Sequence, residues 1–128
     1  MKLLLDTHIF IWWAGDPSKL SSQALALLQD GTNTLLLSVV SVWEMQIKRQ
    51  LGKLKLNLPL QDLIANQQQT NGVMILPVKL EHVLALQNLP TPHNDPFDRL
   101  LIAQAIVEGA TIVTVDAAFA SYPVTIVG

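Results

Sequence analysis

The sequence predicts an α/β protein, a parallel sheet covered by helices on both faces. Short, continuous apolar runs such as LLL at 3–5 and TIV at 111–113 lack polar alternation, which marks strands buried on both sides. Helix-compatible segments alternate with these runs along the chain. The 128 residues, 50% hydrophobic and 14% charged, suit one domain spanning 1–128 with a sizeable core.

Residues 2–5 read as the first strand, ended by Asp6, and a helix follows over 7–13 until Gly15, Asp16 and Pro17 stop it. Leucines and alanines at 20, 24, 25, 27 and 28 give a helical stripe over 18–29, broken by Gly31 and Asn33. The second strand is expected over 35–39. Ser41 then opens a helix with Glu44 three residues on, the spacing of a capping box, and the helix ends near Gly52. Helices over 60–69 and 80–89 flank a strand at 73–76, with Pro77 and Pro90 as punctuation. A polar loop leads to Pro96, suited to a first helical position, and this helix runs over 96–108 to Gly109. A β-branched strand over 111–115 stops at Asp116, and a last strand occupies 124–127. Ligands of open parallel sheets bind beyond the strand carboxyl ends, where Asp6 and Asp116 stand.

The formal net charge of −2 is not the basic excess of a general polyanion binder. Lys48, Arg49, Lys53 and Lys55 nevertheless fall within eight residues, either a local basic face or a solvated helix end. Cysteine is absent, so any metal must be held by oxygen or imidazole. Asp6 and His8 interrupt the leading leucines before they can form a signal-peptide core. The longest apolar stretch, over 35–43, falls short of the roughly 20 residues that span a bilayer. A soluble, cytoplasmic protein is expected, and its apolar excess leaves surface for a second subunit or a partner. Neither G-x-G-x-x-G nor a P-loop is present, which argues against a nucleotide-binding enzyme.

Four acids lie in strongly apolar settings: Asp6 after LLL, Glu44 in SVVSVWE, Asp98 in PFDRLLIAQA and Asp116 after TIVTV. An unpaired buried charge is costly. Two carboxylates about 4 Å apart repel by roughly 4 kcal/mol at an effective dielectric of about 20. A shared magnesium or manganese ion relieves all four and supports hydrolysis of a phosphodiester. Each acid also has a structural reading. Glu44 can complete the capping box, Asp95 can cap the helix begun by Pro96, and Asp98 can be a first-turn acid favoured by the helix dipole. Asp6 and Asp116 can each cap a helix at the end of its strand. His8 and His93 can contact metal or phosphate, although a lone histidine more often packs or lies at the surface. Trp12, Trp13 and Trp43 read as core or interface anchors rather than base-stacking platforms. Arg99 can pair with a neighbouring acid or reach a phosphate.

In their order and local context, LLLDTH, SVVSVWEM, DPFDRLLIAQA and TIVTVD resemble the PIN-domain ribonucleases, and the short chain resembles the VapC-type toxins of toxin–antitoxin pairs. The resemblance covers nearly the whole chain. It implies a three-layer α/β/α fold around a mainly parallel sheet of four or five strands. It also implies an acidic pocket for Mg2+ or Mn2+, with Asp6, Glu44, Asp98 and Asp116 as the matching catalytic and metal-binding acids. Thr114 matches a small hydroxyl residue two before the last acid. Thr7, Thr114 and Asp95 are candidates for the surrounding shell, and Lys48, Arg49, Lys53 and Arg99 for RNA contact. The implied activity is an RNA-cleaving toxin, homodimeric, held by a cognate antitoxin and without a membrane role. The alternative is a catalytically inactive RNA- or protein-binding module in which the acids are mostly caps.

Overall fold

The computed structural model describes residues 1–90 and 95–128. Five strands form one sheet in the order β3-β2-β1-β4-β5. They are β1 (Lys2–Leu5), β2 (Thr34–Ser38), β3 (Met74–Leu76), β4 (Thr111–Val113) and β5 (Ile126–Val127). All four pairings are parallel, with Leu4 of central β1 facing Leu36 on one side and Ile112 on the other.

The apolar runs are continuous because each strand feeds two cores. Leu3, Leu5, Leu35, Leu37 and Val113 point into one, and Leu4, Leu36 and Ile112 into the other. The first core is covered by α1 (Thr7–Gly15), α2 (Ser22–Gln29) and α4 (Leu60–Asn71), through residues such as Phe10, Leu28 and Leu63. The second is covered mainly by α6 (Pro96–Glu108) and the Ala117–Ser121 turn, through Leu101, Ile102 and Phe119. Helix α3 (Val39–Gln50) reaches both, sending Val40 to the second and Met45 to the first. The result is the expected three-layer α/β/α arrangement. Each fully buried leucine of β1 contributes about 1.5–3 kcal/mol of transfer free energy.

Three local expectations are corrected. The stripe over 18–29 is split: Pro17–Lys19 forms a 3-10 turn, and α2 starts after Ser21, whose hydroxyl accepts the Ala24 N–H. The segment over 80–89 is α5 (Leu80–Ala85) continued by a 3-10 turn, Leu86–Asn88. Helix α3 begins two residues before Ser41, because the Ser38 hydroxyl accepts the Val40 N–H at 3.0 Å and closes the first turn there. Ser41 is thus fully buried inside α3, its hydroxyl without a hydrogen-bond partner among the described residues. No capping box involves Glu44.

The ends of α6 follow expectation. Asp95 accepts the Phe97 and Asp98 N–H groups at 2.9 and 3.2 Å, Pro96 occupies the first turn, and Gly109 closes the helix at φ 66°. No helix among the described residues is long and apolar enough to cross a membrane.

Candidate metal centre

In this sheet the chain runs outward from β1 through β2 to β3, then returns to add β4 and β5 on the other side of β1. The order therefore reverses between β1 and β4, and the space beyond their carboxyl ends is where open parallel sheets take ligands. Asp6 follows β1 directly, while Thr114, Val115 and Asp116 follow β4. The Asp6 carboxylate caps α1 by accepting the Thr7 N–H at 2.7 Å on Oδ1. Its Oδ2 accepts the Thr114 hydroxyl at 2.8 Å, and Thr114 Oγ1 in turn accepts the Asp116 N–H at 3.0 Å. The Thr7 hydroxyl donates to Glu44 Oε1 at 2.6 Å, while Glu44 Oε2 lies 3.3 Å from Lys48 Nζ one turn along α3. A continuous run, Glu44–Thr7–Asp6–Thr114–Asp116, thus ties three of the four acids through two buried threonines.

Asp98 arrives from another direction. Because α6 runs antiparallel to β4, its first turn lies at the strand's carboxyl end, where Asp95 and Pro96 start it. Helices α3 and α6 pack together, and the rings of Trp43 and Phe97 meet edge to face with centroids 5.0 Å apart. Glu44 and Asp98, each next in sequence to one of these rings, are brought to the same end of the molecule.

The expectation that all four acids occupy costly surroundings holds only for Asp6, at 6% exposure. Glu44 and Asp98 are half-buried and Asp116 is exposed, since β4 stops at Val113 and the following residues turn out beyond the sheet. Burial pushes the Asp6 carboxyl above its ordinary range. Hydrogen bonds from Thr114 and Thr7 and the nearby His8 oppose that rise, and the Glu44 charge adds to it. Among the described residues no lysine or arginine pairs with Asp6.

The basic candidates divide. Lys48 is engaged with Glu44, and Lys53 and Lys55 are exposed beyond the end of α3. Arg49 borders an apolar groove that includes Val39, Trp43 and Ile64. Arg99 Nη1 donates to Pro90 O at 2.6 Å and to the Tyr122 hydroxyl at 3.2 Å, with its guanidinium 5.9 Å from the Tyr122 ring centroid. Asp95 acts as the cap of α6. His93 lies outside the described residues.

One group escaped sequence reasoning. His82 is fully buried, its Nε2 2.8 Å from Glu108 Oε2 and its Nδ1 accepting the Lys79 N–H at 3.0 Å. Its only local signal is a position three residues after the residue capping α5. With Glu81 it forms a trio whose ligand atoms lie within 4.8 Å of one another, a spacing that no three of Asp6, Glu44, Asp98 and Asp116 reach. The hydrogen bonds decide against a metal there. Since Nδ1 accepts a backbone N–H, the neutral ring carries its proton on Nε2, and that proton points at Glu108. The lone pair a cation needs is absent. This histidine is a helix cap, and its hydrogen bond holds the Glu108 carboxyl below the ordinary carboxylate range.

The PIN domain family model matches residues 3–124. Ribonuclease VapC22 of Mycobacterium tuberculosis strain ATCC 25618 / H37Rv is 28% identical over 129 residues, which cover 97% of each chain. The crystal structure of VapBC2 from Rickettsia felis bound to a DNA fragment from their promoter shares the fold, with a TM-score of 0.76 and 20% identity over 99% of this chain and 98% of that one. VapBC-1 from nontypeable Haemophilus influenzae aligns with a TM-score of 0.55 and 19% identity, over 92% and 89% of the two chains.

Proposed function

Because the chain belongs to the PIN domain family, we propose that it is a magnesium- or manganese-dependent endoribonuclease toxin that hydrolyses RNA and is silenced by a cognate antitoxin. The observation that carries this reading is the Glu44–Thr7–Asp6–Thr114–Asp116 run at the point where the strand order reverses.

The donor set fits a hard divalent cation: every candidate atom is a carboxylate oxygen, and the buried Asp6 is paired with no lysine or arginine among the described residues. Asp6, Glu44, Asp98 and Asp116 would hold the ion, in part through water, which suits their separation and the waters magnesium retains. When bound, the cation neutralises phosphate charge and lowers the pKa of an attacking water. Thr7 and Thr114 each hold a carboxylate oxygen and so fix where the remaining lone pairs of Asp6 and Glu44 point. Lys48, bound to Glu44 in the free protein, is placed to meet a phosphate as it arrives.

VapC22 is named a ribonuclease, and both structural relatives are VapBC proteins, which supports the toxin–antitoxin assignment. Exposed Trp43, Leu80 and Leu84 supply apolar surface for the antitoxin and for a homodimer acting in the cytoplasm. The non-catalytic alternative treats the acids mostly as caps: Asp6, Asp95 and Asp116 do accept backbone N–H groups at the starts of helical turns, whereas Glu44 does not, since Ser38 caps α3. The test is RNA cleavage during a manganese titration, with the parent, Asp98→Asn and Glu44→Gln purified side by side. Cleavage is expected from the parent with metal and to be lost in both variants; equal cleavage by Asp98→Asn refutes the assignment.

A further inference from the structure

Arg99 is out of place on electrostatic grounds. It lies in the first turn of α6, where the helix dipole favours acids and disfavours cations, a preference that Asp95 and Asp98 obey. Among the described residues no carboxylate forms an ion pair with it. Its acceptors are neutral and come from two other segments: Nη1 donates one proton to Pro90 O at 2.6 Å and the other to the Tyr122 hydroxyl at 3.2 Å.

These two partners define what the contact joins. Pro90 follows Leu89, which packs into the second core after α5 and its 3-10 turn. Tyr122 closes the Ala117–Ser121 turn, its N–H donating to Phe119 O, and Asp116 opens that turn by accepting the Ala118 N–H at 2.9 Å. A buried phenol needs a polar partner, and the guanidinium supplies one to Tyr122 while lying 5.9 Å from its ring centroid. The threonine run orders Glu44, Asp6 and Asp116, and Asp98 stands outside it. Arg99, next in sequence to Asp98, reaches the far end of the turn that Asp116 begins.

We propose that Arg99 is a positioning residue of the metal centre, a clip that holds the first turn of α6, and Asp98 with it, against the turn that begins at Asp116. This rests on the metal-dependent reading. It gives a task inside the protein to a residue that the sequence offered for RNA contact. Charge alone predicts the opposite of a clip: a guanidinium near the acids repels a divalent cation, so its loss should tighten metal binding. Loss of the clip lets Asp98 and Asp116 move apart and weakens that binding.

The test is manganese affinity by titration calorimetry, without RNA and far below the melting temperature, for the parent, Arg99→Met, Tyr122→Phe and the double variant. Methionine keeps much of the arginine stem, and phenylalanine keeps the buried ring. Arg99→Met should raise the manganese Kd about 10- to 100-fold, the effect of losing a group that orients a ligand. Tyr122→Phe should raise it less, and the double variant no more than Arg99→Met, since both remove the same contact. Binding of an unstructured oligoribonucleotide in EDTA should keep its salt dependence in Arg99→Met. Parent-like or tighter manganese binding by Arg99→Met overturns the proposal, as do losses that multiply in the double variant. A slope of log K against log salt reduced by about 0.7, one phosphate of a single strand, also overturns it and makes Arg99 an RNA contact. If Arg99→Met does not fold, Tyr122→Phe decides alone, and an unchanged manganese Kd in that variant overturns the clip. A parent that binds manganese and cleaves RNA while the variants match it sinks the clip alone; a parent that binds no manganese sinks the metal reading and the clip with it.

Discussion

Replacing Asp6 by Asn separates a metal ligand from a helix cap, because Asn keeps the cap and loses the charge that a cation needs. The buried Asp6 carboxyl has its pKa raised, chiefly by desolvation. The folded protein therefore binds that proton more tightly than the unfolded chain, and above the folded pKa the ionised side chain subtracts stability that returns as pH falls. Asn is neutral, has the same shape and caps helices as well as Asp. Without metal at neutral pH, Asp6→Asn should melt at or above the parent. Manganese reverses the order. At a hundredfold excess over Kd, a ligand bound only by the folded state adds about 2.7 kcal/mol. With an unfolding entropy of about 2.1 cal/mol/K per residue over 128 residues, that raises the parent Tm by about 10 °C. If the variant binds a hundredfold more weakly, it gains only about 0.4 kcal/mol, under about 2 °C. Thermal unfolding by circular dichroism in EDTA and in manganese reads both arms. A variant that gains as much from manganese as the parent, whatever its melting temperature in EDTA, refutes the shared-cation reasoning.

Thr114→Val removes the donor to Asp6 and the acceptor of the Asp116 N–H, and should weaken manganese affinity or RNA cleavage about 10- to 100-fold, read by titration calorimetry or initial rates. Glu44→Gln keeps an oxygen for the Thr7 hydroxyl and loses the partly exposed Lys48 pair, so stability should change by under about 1 kcal/mol in urea while cleavage is lost; an unfolded variant contradicts this. Glu108 has a lowered pKa, first through the His82 hydrogen bond, so its stabilising contribution is complete above the unfolded glutamate pKa and is lost as pH falls through the folded value. Glu108→Gln should flatten that acid limb in a pH series of melting temperatures.

How far the sequence could be read depended on the range of the interaction. Uninterrupted LLL and TIV announced strands with two buried faces, and Pro96 with Gly109 bounded α6, since sheet burial and helix capping act through neighbouring residues. The second strand was drawn one residue too late at both ends, because Val39 and Val40 are β-branched and extend the apolar stretch begun by Leu35. Packing of Val40 into the second core overrides that preference and lets Ser38 start the helix. Thr7 and Thr114 were marked only by resemblance, as their partners Glu44 and Asp6 lie 37 and 108 positions away. His82 was invisible for the same reason, since Glu108 is 26 residues on. The acids' order was legible, but their unequal burial depends on where β4 ends.

The separation between Asp6 and Thr114 also bears on biosynthesis. Synthesis proceeds from the N-terminus at about 5–20 residues per second, and β1 cannot gain its second neighbour until Thr111–Val113 has left the ribosome. Until then the Asp6 carboxylate lacks the Thr114 hydroxyl. The Glu44–Thr7–Asp6–Thr114–Asp116 run therefore closes only when nearly the whole domain has emerged, so the candidate centre is among the last features that synthesis completes.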